Sequence, residues 1–136
     1  MMAPQVYEDA RANAPIHIQI WKWRGTDRTP RGGSALLIAR VVRIFRDRDH
    51  ALRLGRRVSV RVPIIHDTGS SGPMLSGTIN HDWDRLSQAN WFEAFMESDG
   101  DHFELTLSQI AAIRGPTLRP ICGPDQKGFL CEGNFP

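Results

Sequence analysis

Apolar residues recur at every second position in three separate stretches of this chain, and that period is what its architecture must satisfy. Ile16, Ile18 and Ile20 alternate with His17, Gln19, Trp21 and Trp23. Val58, Val60 and Val62 alternate with Arg57, Ser59 and Arg61, and Phe103, Leu105 and Leu107 with His102, Glu104 and Thr106. Successive side chains of a strand point to opposite faces, so each stretch reads as a strand with one buried face. Ser34 to Phe45 (SALLIARVVRIF) is a longer strand with both faces largely apolar, as where a strand curls round a barrel or is covered on two sides. Its alternation leaves open whether Arg40 or Arg43 points outward.

Turn chemistry separates these stretches. A loop is expected over Gly25 to Gly33, with Pro30 as a breaker, and a polar connection over Asp47 to Gly55, ending in Leu-Gly. Pro63 terminates or edges the Val-rich strand, and HDTGSSGP (66–73) reads as a flexible loop. Leu75 to Ile79 suits a short strand, followed by polar residues to Asp84. Leu86 to Met96 (LSQANWFEAFM) is the helix candidate, because Phe92, Phe95 and Met96 share one helical face; Ser87 or Asp84 would cap it. Ser98 to Asp101 is a turn, and the Pro- and Gly-rich stretch from Gly115 onward has no period at all.

The chain is thus expected to divide into a flexible, weakly helical lead-in (1–15), a β domain (16–114) and an irregular tail (115–136). With no βαβ alternation, a parallel doubly wound sheet is not expected. The expected fold is mainly β: a small five-stranded Greek-key barrel, closed or partly open, with one α-helix before the last strand. That element order is OB-like. Within it, Ala39 to Pro63 runs Val-Arg-Ile-Phe-Arg, then Leu-Gly, then Val-Ser-Val-Arg-Val-Pro, and resembles the netrin-like (TIMP-related) branch of the OB fold. The inhibitory members of that family chelate a protease zinc through an N-terminal cysteine. This chain begins Met1-Met2-Ala3 and has no cysteine before Cys122, so the resemblance does not imply that activity.

Of 136 residues, 40% are hydrophobic and the net charge is +2, which excludes intrinsic disorder. No apolar run approaches the roughly 18 residues of a membrane span, and Met1 to Asn13 lacks the apolar core of a signal peptide. Charge is uneven: Arg40 to Arg61 holds eight arginines against Asp47 and Asp49, leaving the remainder net acidic. Arg57 and Arg61 on one strand face, with Arg43 nearby, could contact phosphates bidentately, and Trp21 and Trp23 could stack bases. The structural alternative is that the tryptophans belong to the core and the arginines pair with the acidic remainder.

Other chemistries find less support. His81, Asp82, Asp84, Glu93, Asp99, Asp101 and His102 are rich in ligand types but match neither an EF-hand loop nor a zinc helix, so no metal or catalytic residue is assigned. There is no nucleophile elbow, and Arg31-Gly32-Gly33-Ser34 precedes a strand where a phosphate loop precedes a helix, so no cofactor is expected. Cys122 and Cys131 suit either a disulfide closing a short loop or two reduced thiols. Without a signal peptide the cytoplasm is the expected compartment; a bridge would favour an exported or periplasmic one. The function expected is a non-enzymatic binding module. Its partner is a protein, reached through aromatics on or near the expected helix, Trp83, Trp91 and Phe92, or single-stranded nucleic acid. A homo-oligomer built on an edge strand would need no motif.

Overall fold

The computed structural model describes residues 4–27, 33–65, 81–99 and 102–122. The expected 66–73 loop and the short strand at Leu75 to Ile79 lie outside these residues, as does Cys131. In chain order the elements are α1 (Pro4–Asn13), β1 (Ile16–Asp27), β2 (Gly33–Asp47), β3 (Arg57–Ile65), β4 (His81–Asp82), α2 (Trp83–Gln88), β5 (Trp91–Asp99) and β6 (His102–Ile113).

β1 pairs antiparallel with both β2 and β5, β2 with β3, and β5 with β6. A short parallel pairing, Val60 with Phe103 and Arg61 with Glu104, joins β3 to β6. The five long strands therefore run in a ring, β1-β2-β3-β6-β5, as a partly open barrel with β4 appended beside Ile64 and Ile65. Strands this long coil only if their ladders slip locally. β1 and β2 shift register three times, between His17 and Ile18, Gln19 and Ile20, and Lys22 and Arg24. Such bulges bend a strand and increase its twist.

The interior is built by the period-two residues. Ile16, Ile18 and Ile20 meet Leu37, Ala39 and Val41 of β2, Val58, Val60, Val62 and Ile64 of β3, and Phe92, Ala94 and Met96 of β5. α2 plugs one end of this core with Leu86 and Trp83, whose Cη2 lies 3.4 Å from where a Cβ on Gly25 would stand. The inward-facing Lys22 is buried there and donates to Leu86 O (2.8 Å) and Ser87 O (2.7 Å). The last carbonyls of α2 thus receive a cation where the helix dipole favours one. Burial alone lowers the Lys22 pKa.

A second, smaller core of Ala14, Phe95, Ala111 and Cys122 lies on the outer face of β5 and β6. It forms because α1 and residues 114–122 lie against that face. α1 is fastened at its C-terminal end: Arg46 Nη1 donates to Arg11 O (2.9 Å) and Ala14 O (2.6 Å), while Arg11 Nη1 donates to Gln109 Oε1 (2.8 Å). Gln109 reaches α1 from a bulge in β6, where the strand runs from Ile110 to Leu105 while β5 advances only from Ala94 to Met96. Leu107, inside that bulge, has φ 48°.

The helix expected over Leu86 to Met96 is not there. α2 spans Trp83–Gln88, and Trp91–Asp99 is strand. Phe92, Phe95 and Met96 satisfy a helical face, but Phe92, Ala94 and Met96 line the barrel while Glu93 and Phe95 are buried on the other side. A strand covered on both faces carries no alternation, so the two periods could not be told apart. Ser87 is no N-cap; its Oγ donates to Asp84 O within α2. Gly25 to Asp27, expected as loop, continue β1 against Leu37, Leu36 and Ala35, and Pro63 neither ends nor interrupts β3.

Candidate functional site

Directly paired residues in a sheet share a face. Trp91 of β5 stands opposite Trp21 of β1, Trp21 opposite Arg40 of β2, and Arg40 opposite Arg57 of β3. This row of two indoles and two guanidinium groups crosses four strands on the outside of the barrel. Trp23 lies at the β1 bulge between Lys22 and Arg24 and faces outward; it is 58% exposed. The Arg57 guanidinium sits over its ring, 5.4 Å from the centroid. Arg61 follows two outward positions further along β3, exposed.

Among the described residues, Arg24, Arg40, Arg57 and Arg61 have no carboxylate within ion-pairing distance. Arg40 is oriented instead by donating to Gly55 O at 2.9 Å. Among the described residues, the expected pairing of these arginines with the acidic remainder is not seen. The face combines positive charge with exposed aromatic surface, which can take up an anion and stack a planar group.

Of the residues singled out in the sequence, Trp21, Trp23, Arg57 and Arg61 lie together on this outer surface. Arg43 is displaced from them. It stands opposite Gln19, is half-buried and donates to Val42 O at 3.2 Å. Arg40 and Trp91 belong to the row but were missed as members. Arg40 was ambiguous because both faces of β2 are apolar, and Trp91 because its segment also fits a helix.

A second polar constellation lies under residues 114–122. Glu93 has no solvent exposure. Its Oε1 accepts from Gln19 Nε2 (2.7 Å) and Ile121 N (3.0 Å), and its Oε2 from His17 Nε2 (2.9 Å) and Cys122 N (2.6 Å). Gln19 closes the lattice through Thr117, accepting from its N (2.8 Å) and donating to its Oγ1 (2.8 Å). The His17 ring stacks on Phe95 at 4.0 Å and tilts against Phe45. Burial pushes the Glu93 carboxyl up, but the hydrogen bonds from His17, Gln19, Ile121 and Cys122 together hold it below its ordinary value.

A histidine beside a carboxylate is the pairing that proton transfer uses, but both oxygens here are already filled and no solvent reaches them. What this arrangement does is clamp an irregular segment onto a sheet. Cys122 is disulfide-bonded, and Cys131, the chain's other cysteine, lies outside the described residues. Among the described residues, no three His, Cys, Asp or Glu side chains gather as metal ligands, and no helix is long and apolar enough to cross a membrane. Comparison with protein-family models, with curated proteins and with solved structures gave no match.

Proposed function

We propose that the protein is a non-enzymatic binding module of the OB type, that its docking surface is the outer face of β1, β2 and β3, and that its ligand is single-stranded nucleic acid. The ring order β1-β2-β3-β6-β5, with a helix between β3 and β5, supports the OB assignment, and the Val-rich β2–β3 hairpin supports the netrin-like resemblance. OB barrels bind oligonucleotides across the face of their second and third strands. The observation that carries the ligand is the exposed Trp23 beside arginines that, among the described residues, no carboxylate neutralises. Single-strand binders use that combination, each stacked base contributing roughly 1–3 kcal/mol.

Intrinsic tryptophan fluorescence, titrated with mixed-sequence single-stranded DNA and RNA at low and near-physiological salt, tests this directly. The expected result is saturable quenching. Its log K falls with log salt by about 0.7 per phosphate contact, and Trp23→Ala weakens binding by about 1–3 kcal/mol. Unchanged fluorescence at micromolar protein would reject the nucleic-acid ligand.

The disulfide at Cys122 favours a second reading. Such bonds persist in oxidising compartments, where the same face would serve a protein partner, Trp and Arg being enriched at interface hot spots. Binding carried by apolar burial would be nearly insensitive to salt, which separates the two readings.

A further inference from the structure

We infer that Arg40 and Arg57 form a phosphate-binding subsite on the outer face of β2 and β3, with Trp23 as its wall. Directly opposed residues on antiparallel strands stand about 4.5–5.5 Å apart at Cα, and like charges so placed oppose each other. Arg40 and Arg57 occupy such a position, both exposed and, among the described residues, both without a carboxylate partner. Here each is held. Arg40 donates one Nη to Gly55 O at 2.9 Å, and Arg57 lies on the Trp23 ring at 5.4 Å from its centroid.

Gly55 can present its carbonyl there because it sits in a turn at φ 85°, with its own N bonded to Val41 O at 2.7 Å. The two guanidinium groups are therefore oriented before any ligand arrives. Each retains N–H donors in the planar fork that matches a phosphate. Pre-orientation lowers the entropy lost on binding, and an anion between the two cations removes their repulsion.

The subsite rests on the reading of this face as the docking surface, and it takes a phosphate group whether that group is inorganic phosphate or part of a nucleic-acid backbone. The experiment uses the full chain in three forms: wild type, Arg57→Ala and Arg40→Gln. Arg53→Ala, an exposed arginine outside the pair, controls for loss of one charge. Thermal unfolding is followed in sodium phosphate and in sodium chloride at equal ionic strength and pH. Phosphate stabilises proteins generally by exclusion, so the readout is the extra shift over the variants.

The wild type and Arg53→Ala should gain about 3–5 °C more than Arg57→Ala and Arg40→Gln once phosphate exceeds Kd about tenfold. Equal shifts in all four proteins would overturn the subsite. An oligothymidylate titration supplies the second arm, in which Arg57→Ala should lower the salt slope by about 0.7 and Arg53→Ala should leave it unchanged. Oligonucleotide binding with an unaltered slope in Arg57→Ala would overturn the subsite while the docking face stands. A phosphate-specific shift without oligonucleotide binding would leave the subsite standing and the nucleic-acid ligand rejected.

Discussion

A carboxylate without solvent survives in a folded protein only when its oxygens are filled, and Glu93 meets that condition with four donors from two segments, β1 and residues 114–122. Glu93→Gln keeps the shape but replaces one acceptor oxygen with an amide NH₂ that faces two donors. The expected cost is about 3–5 kcal/mol at neutral pH, measured as the shift of the denaturant midpoint, because donors are left buried and unmatched. The same geometry sets the acid response. The folded-state pKa of Glu93 lies below its ordinary 4.5. Its contribution is complete above that value and is lost as pH falls from 4.5 through the folded value, where the unfolded chain takes up the proton first. Glu93→Gln should flatten that acid limb of the stability curve. A variant as stable as wild type at pH 7 would show that the four bonds do not hold residues 114–122 in place.

Elements show where sequence patterns stop being informative. β1 and β3 were legible because Ile16, Ile18, Ile20 and Val58, Val60, Val62 each alternate with polar or amphipathic residues in the sequence. β5 was not, because Glu93 and Phe95 are buried under a segment some twenty or more residues distant in the chain, which erases the polar half of the alternation. For the same reason the His17–Gln19–Glu93 cluster was invisible: His17 and Gln19 lie on the face expected to be wet. Trp21, Trp23, Arg57 and Arg61 were found because they stay outside. α2 is a further case, since six residues are too few for periodicity and its stability depends on tertiary partners. Lys22→Met keeps the buried stem and removes the two bonds to Leu86 O and Ser87 O. The expected loss is about 1–3 kcal/mol, with faster hydrogen exchange at Ala89, whose N donates to Arg85 O. Exchange unchanged at Ala89 would mean that the hydrophobic plug alone holds the helix.

For the molecule as a whole, the barrel carries two outer faces of opposite character. Across β1, β2 and β3 it presents arginines and exposed indole, whereas across β1 and β5 it is closed by residues 114–122. The closure depends on buried polar bonds at Gln19 and Glu93 and on one covalent bond at Cys122, because residues 114–122 have no regular structure of their own. We propose Cys131 as the partner of Cys122, the chain having two cysteines. A loop of that size stabilises by about 2–3 kcal/mol in the chain-entropy model. Intact mass of freshly isolated, unreduced protein should then lie about two units below the fully reduced value, one hydrogen being lost from each thiol. Reductant should lower the denaturant midpoint of the wild type to that of a Cys122→Ser/Cys131→Ser double variant, which should itself ignore reductant. Because Arg40 and Arg57 lie on β2 and β3, with β1 between them and Glu93 of β5, where the Cys122 backbone is bonded, oligonucleotide affinity measured under native conditions should not change on reduction. A coupled loss of affinity would mean that the clamped segment also shapes the arginine face, and a reduced mass in untreated protein would remove the bridge between Cys122 and Cys131.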